Sequence, residues 1–302
     1  MSSKYRICGI YDCSRGRNDG TGIYFTVNVK NRPDVDYLHL APLSGDRNIQ
    51  QYGKFDLYVW FDHGEDAFPD YTNDPIVCPK PSVYWVSDLH WSDQSRDYRI
   101  NKAKEFDLVA CHHQEHVQVM KDALGHDRVF WLPFAVEPKA YPRVHAVKKY
   151  DWGFVGHLNT ERRINLLDTM YKEIPNGWIV WKKFFEDAAA VYHDSKISIH
   201  YSVAGDQSMR NFEVMGSGGF LLTDRNKGME TLFQDGVHCV MYDSIPDAIE
   251  KAKYYIAHDE ERDKIAEAGY QEVIAKHTYK HRVDTLIEKA KEYGLIKELV
   301  TA

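Results

Sequence analysis

The chain predicts an α/β fold built on open sheets, with an interdomain linker near its middle, on three observations. Residues 197–224 read as strand, loop, helix and strand, the repeating block of an open α/β sheet. Short strand-like runs recur through the first half, at Tyr5–Tyr11, Asp36–Leu40, Phe55–Phe61, Ser82–Val86, Phe106–Cys111 and Val129–Pro133. Between the halves lies Phe134–Lys149, which carries Pro138 and Pro142 among polar residues and has the composition of an interdomain linker.

Bulk properties narrow the function classes. A chain of 302 residues holds one large or two medium domains with a real core. Its formal net charge of −7 supplies no global basic field toward nucleic acid or anionic membrane. The five cysteines are scattered, odd in number and lack C-x-x-C spacing, as expected for reduced thiols in the cytoplasm. No signal-peptide pattern and no apolar run of spanning length is evident, so a cytoplasmic protein without a membrane span is expected.

In chain order, the loop Asp12–Gly22 follows the first strand without G-x-G-x-x-G or a P-loop lysine. Ile23–Val29 has β-propensity, yet a right-handed crossover requires a helix there, so both readings stay open. Asp34-Val35-Asp36 is a formal D-x-D at a strand start and reads as solvent-facing. Ser87-Asp88-Leu89-His90-Trp91 closes the strand at Ser82–Val86. Ligands in open α/β sheets gather beyond the carboxyl ends of strands, which makes Asp88 and His90 candidates for proton transfer. His112-His113-Gln114-Glu115-His116 matches H-x-x-E-H literally. A zinc site needs His112 and His116 on one helical face, whereas the helix is expected to begin near Gln114, leaving His112 in the loop.

In the second half, Asp151–Val155 is a strand and Gly156-His157-Leu158-Asn159-Thr160 leads into a helix with Thr160 as N-cap. Arg162 and Arg163 in the first turn oppose the helix dipole unless an anion sits there, which favours a phosphate site. Trp178–Trp181 is a strand ending at Lys182-Lys183, and Asp187–His193 a helix. Ile197–Val203 alternates as a strand; Ala204-Gly205-Asp206 is a turn with Asp206 a plausible N-cap, and Met209, Phe212 and Gly216 share a helical face. Ser208 and Arg210 then open the helix where free N–H groups favour an anion, and Glu213 lies one turn on, able to meet sugar hydroxyls. The plainer reading is an i,i+3 ion pair with no ligand. Ile245–His258 and Glu260–Lys276 are helices with solvated charged faces, and Arg282–Leu299 is an amphipathic helix.

The run R-N-F-E-V-M-G-S-G-G-F-L-L-T-D from Arg210, then E-T-L-F-Q-D-G, D-E-E-R-D-K-I-A-E-A-G-Y and H-T-Y-K-H-R, resembles the glycosyltransferase group 1 family, in its spore-maturation CgeB-like branch. The likeness is strong over the second half and extends weakly through P-K-P-S-V-Y-W-V-S-D. It implies the GT-B fold: two Rossmann-like domains facing a central cleft. Residues 1–137 (with 283–302 crossing back) would form the acceptor domain and 138–282 the donor domain. It implies a nucleotide-sugar donor, UDP- or GDP-linked, with retention and no metal or other cofactor. Donor contacts would come from Gly156, His157, Asn159, Arg162, Arg163, Lys182, Asp206, Ser208, Arg210 and Glu213, with Glu213 on the ribose. Relatives often carry E-x7-E; here Gly205 holds the earlier position, and Asp206 beside it either replaces that contact or only caps the helix. The acceptor is open among polysaccharide, protein, small molecule and modified DNA base. A nucleotide-sugar epimerase or hydrolase, or a non-catalytic binding or coat protein, are the alternatives.

Overall fold

The computed structural model describes residues 4–11, 20–41, 49–62, 78–87, 89–90, 92–144 and 146–299. The chain divides into two compact units, Met1–Pro133 with Tyr279–Ala302, and Phe134–Thr278.

Unit 1 has strands β1 (Tyr5–Ile10), β2 (Val35–Leu40), β3 (Leu57–Phe61), β4 (Ser82–Val86), β5 (Leu108–Cys111) and β6 (Val129–Trp131). They form one parallel sheet in the order β2-β1-β3-β4-β5-β6. Both faces of β3, β4 and β5 are buried, which is why these runs are apolar throughout instead of alternating. The described helices of its first segment are α1 (Thr21–Lys30), α2 (Asp93–Ala103) and α3 (Glu115–Leu124). Over Ile23–Val29 the crossover wins against local β-propensity. Parallel β1 and β2 need a connection that returns over the sheet, and a helix here buries Tyr24, Phe25 and Val29, with Phe25 packed 5.1 Å from the Phe61 ring.

Unit 2 repeats the design with β7 (Tyr150–Val155), β8 (Gly177–Val180), β9 (Ser195–His200), β10 (Leu221–Asp224) and β11 (Val240–Tyr242), in the order β11-β10-β9-β7-β8, all parallel. Its helices are α4 (Glu161–Glu173), α5 (Phe185–Asp194), α6 (Met209–Gly216), α7 (Lys227–Leu232), α8 (Ile245–Ala257) and α9 (Asp259–Lys276). Trp152, Phe154, Leu166, Met170, Ile197 and Leu222 lie at the centre of one core layer. The Trp152 indole donates to the Ile174 carbonyl at 2.7 Å and packs edge-on to Tyr171, so one side chain ties β7 to the end of α4. Gly177 lets β8 pass this ring: a Cβ there would fall 2.2 Å from the indole.

The chain then returns to unit 1 as α10 (Tyr279–Glu292), which packs on α1 through Tyr279 and Tyr24, 5.0 Å apart. This helix is shorter than the expected Arg282–Leu299. Gly294 takes a left-handed φ of 72°, and the N–H of Leu295 turns back to the Ala290 carbonyl, closing the end. Among the described residues no helix is long and apolar enough to cross a membrane.

Trp152→Ala should lower the stability of unit 2 by about 3–5 kcal/mol, the usual cost of emptying a buried aromatic site, read as a shift of its denaturant midpoint.

Candidate active site

In each unit the strand order reverses once, and in unit 2 the reversal falls between β7 and β9. Loops leaving neighbouring strands in opposite directions open a crevice at such a point, and open α/β sheets bind ligands there. The two loops concerned are 156–160 and 201–208, which hold five of the ten sequence-predicted donor residues: Gly156, His157, Asn159, Asp206 and Ser208.

Thr160 caps α4 as expected, its side chain accepting from the Arg163 N–H at 3.4 Å. Arg163 is buried and points inward. Its Nε donates to the Tyr201 carbonyl at 2.7 Å and its Nη1 to the His157 carbonyl at 3.2 Å, so one guanidinium ties the two loops together. Asn159 Oδ1 sits 3.5 Å from the same Nη1. Burial, followed by the repulsion of Arg210, pushes the Arg163 pKa below its ordinary value. Arg162, by contrast, is exposed and lies over the Tyr201 ring at 5.4 Å. Gly156 passes close to Phe154, where a Cβ would meet the ring at 3.1 Å.

The start of α6 corrects one expectation. Asp206 does not cap it; Ser208 does, in a reciprocal box with Asn211, whose Oδ1 accepts from the Ser208 N–H at 2.7 Å. Asn211 stands at the third helical position, where it can reach back, and this pairing selects Ser208 over Asp206 two residues earlier. Asp206 is buried at 5% exposure in the loop ahead of the helix, after Gly205 at φ 79°. Below the loop runs a buried polar chain. Asn211 Nδ2 donates to Thr223 at 3.1 Å, and Asp224 accepts from the Ser202 N–H at 2.8 Å and from its hydroxyl. Gly205 N–H in turn reaches Ser202 Oγ at 2.9 Å. Burial raises the Asp224 pKa despite the Ser202 bonds.

Arg210 and Glu213 come together as a pair, Nη1 to Oε2 at 2.6 Å, with the Tyr192 hydroxyl also accepting from Nη1 at 3.0 Å. The Glu213 side chain is only 4% exposed and that of Arg210 20%. Burial works against the Arg210 charge, but the Glu213 carboxylate outweighs it and holds the guanidinium above its ordinary value.

At the end of β8 the sequence reading missed Trp181. Its ring is 56% exposed, its Nε1 donates to His157 Nδ1 at 2.8 Å, and Lys182 Nζ lies 4.4 Å from the ring centre. An aromatic ending a strand is the signal available in the sequence; the 24-residue separation from His157 hides their contact.

In unit 1, Asp88 lies outside the described residues, as do residues 12–19 of the stretch expected to form a loop after the first strand. His90 is partly exposed, with its ring 5.5 Å from that of His113 and 6.2 Å from that of His116. Because α3 begins at Glu115, His112 precedes the helix and shares no helical face with His116; it packs on Trp85 instead. Asp36 of the D-x-D lies 3.6 Å from Arg6 on the surface, with Asp34 paired to Arg32 at 2.9 Å.

His200, at the end of β9, is buried, and burial, reinforced by Arg163 and Arg210, holds its pKa well below 6.5. The folded form therefore binds the proton more weakly than the unfolded chain, so this contribution to stability is intact above about pH 6.5 and is lost as pH falls. Between pH 7.5 and 5 the wild-type melting temperature should drop further than that of His200→Gln, by thermal unfolding at both pH values.

Residues 155–288 match the family model described as glycosyl transferase-like. No curated protein matches the chain in sequence. Among solved structures it is similar to HepE (Alr3699) of Anabaena, crystallised with UDP and glucose, at 12% identity and TM-score 0.71 over 95% of this chain and 100% of that one. Sucrose-phosphate synthase of Thermosynechococcus elongatus is similar at 10% identity and TM-score 0.64, covering 96% and 99% of the two chains. TarM of S. aureus matches at 12% identity and TM-score 0.61, over 80% of this chain and 57% of that one. The fold is therefore that of the GT-B glycosyltransferases, two Rossmann-like units on parallel sheets, with a glycosyl transferase-like segment spanning most of the second.

Proposed function

We propose that the chain is a glycosyltransferase that takes a sugar from a nucleotide-sugar donor, UDP-linked in the first instance, and that unit 2 holds the donor. The observation that carries this reading is the loop pair at the β7/β9 switch point, joined by Arg163 and leading into the capped N-terminus of α6, within the segment that matches a glycosyl transferase-like family. UDP in the HepE crystals supports the choice of nucleotide. The motif from Arg210 to Asp224 supports placement in the CgeB-like branch.

In this reading the donor diphosphate docks against the first-turn N–H groups of α6 with Ser208, and against the Gly156–Asn159 loop with Arg162. As the sugar leaves, negative charge builds on the diphosphate, and preoriented N–H groups and guanidinium stabilise it more than they stabilise the intact donor. That electrostatic contribution is how the transfer proceeds without a metal. Arg210 neutralises Glu213, and together they meet the ribose end. Lys182 and the exposed face of Trp181 suit the base. Asp206, beside the position where relatives often carry a glutamate, replaces that residue's contact to the sugar. Transfer with retention is proposed, with Asp88 or His90 of unit 1 assisting proton transfer on the acceptor side; inversion would instead require a base there, for which Asp88 is the candidate. The acceptor class is open among polysaccharide, protein, small molecule and modified base. The buried cysteines Cys8, Cys78, Cys111 and Cys239, scattered and without C-x-x-C spacing, suit a reducing, cytoplasmic setting.

Gly205, standing where relatives often carry a glutamate, favours a second reading: binding of a sugar nucleotide without turnover. Slow release of glucose from UDP-glucose supports the transferase; tight binding without release supports the second reading.

Thermal-shift screening against UDP, GDP, ADP, TDP and CMP tests the first. A nucleotide at 100 times its Kd should stabilise the chain by about 2.7 kcal/mol, and no shift with any of them would sink the proposal. Arg210→Ala should weaken UDP binding by about 1.5–3 kcal/mol, as for a charge-assisted hydrogen bond, measured by calorimetry on protein whose folding has been checked.

A further inference from the structure

His200 is a buried titratable group of this loop cluster that the proposed reaction does not use. Its side chain makes a hydrogen bond through Nε2 to Ser208 Oγ at 3.1 Å, while its Nδ1 meets no hydrogen-bond partner among the described residues. For the fold alone an imidazole is a poor choice at 3% exposure. A buried polar ring with one of its two nitrogens unsatisfied costs stability that a leucine of similar size would avoid. The backbone of His200 does serve the fold, its carbonyl accepting from the Tyr242 hydroxyl at 2.7 Å, but that bond is indifferent to the side chain. What the ring supplies that no apolar residue can is a fixed partner for the Ser208 hydroxyl.

We propose that His200 is a positioning residue of the donor site, fixing the Ser208 side chain and through it the first turn of α6, where the donor diphosphate docks. The inference rests on the donor site proposed above. A serine side chain has three staggered rotamers, and a partner 3.1 Å away selects among them. The chosen rotamer keeps Ser208 Oγ within 3.3 Å of Asn211 Oδ1, so the cap box and the imidazole hold the hydroxyl from two sides. The first-turn N–H groups are then presented in one arrangement before any ligand arrives, which lowers the ordering cost of binding. Burial keeps the ring neutral beside Arg163 and Arg210, so it orients the hydroxyl without adding a third cation.

Calorimetry of the full chain with UDP tests this, using wild type, His200→Gln, His200→Leu, Ser208→Ala and the double variant His200→Leu/Ser208→Ala, each first shown folded by its thermal midpoint. Gln places an amide nitrogen near the Nε2 position, whereas Leu has no hydrogen-bonding group. We expect His200→Leu to weaken UDP binding about tenfold, the scale of one hydrogen bond, without a matching loss of melting temperature. His200→Gln should restore most of the affinity, and the double variant should bind no more weakly than Ser208→Ala. Wild-type affinity in His200→Leu, or losses that multiply in the double variant, would overturn the proposal. If His200→Leu does not fold, His200→Asn, too short to reach Ser208, replaces it, and equal affinities for Asn and Gln overturn the idea. A wild-type chain that binds none of the five nucleotides screened above overturns the donor-site reading, and this inference with it; wild-type binding with an indifferent Leu variant overturns this inference alone.

Discussion

Two loops that leave adjacent strands in opposite directions do not stay together without a tie, and in unit 2 the tie is the Arg163 guanidinium. It is buried, and its donors reach carbonyl oxygens on both loops. Backbone carbonyls are neutral acceptors, so the charge is not cancelled on the spot. Burial accordingly depresses the Arg163 pKa, the reverse of what happens at Arg210, where a carboxylate lies within 2.6 Å. Two arginines thus serve the same crevice differently: one sets the spacing of the loops, the other offsets a buried acid. Removing Arg163 leaves carbonyls unsatisfied; removing Arg210 leaves the buried Glu213 carboxylate without its cation, the costlier defect for a buried group.

The polar chain beneath loop 201–208 continues this logic. Ser202, Asp224, Thr223, Asn211, Ser208 and His200 are joined by hydrogen bonds from the end of β10 to the start of α6. Networks of this kind are rigid when satisfied and costly when broken. Loop 201–208 therefore has a firm base although Ala204 and Gly205 at its tip are exposed. A rigid base under an exposed tip suits a site that must present fixed donors to an anion.

How much of this is legible in the sequence depends on whether the deciding partner is local. Ser82–Val86 is readable as a strand because a short apolar run bounded by turn residues has few other solutions, and Thr160 as a cap because its partner is three residues away. The helix at Thr21–Lys30 is not readable from Ile23–Val29 alone, since what decides it is the return path between β1 and β2 and the burial of Phe25 against Phe61. The cap of α6 turns on Asn211, a signal present in the sequence but overshadowed by Asp206, an equally good capping residue in isolation. For the site, the sequence marks an arginine at the first turn of α4 but not that it points inward, because its partner Tyr201 is 38 residues on. It marks Lys182 but not the Trp181–His157 contact beside it. The pairing of Arg210 with Glu213 is legible from i,i+3 spacing; its burial, which depends on Tyr192 and the packing of α5, is not.

The shared core of α1 and α10 has a consequence for how the molecule is made. Unit 1 is discontinuous in the chain, and the ring contact between Tyr24 and Tyr279 joins its two segments. On the ribosome, the first 133 residues emerge lacking the helix that covers α1, so their apolar surface waits while the whole of unit 2 is translated. Unit 2 is contiguous and can close by itself. The later-synthesised domain is thereby free to close first, and the earlier one is complete only when α10 arrives.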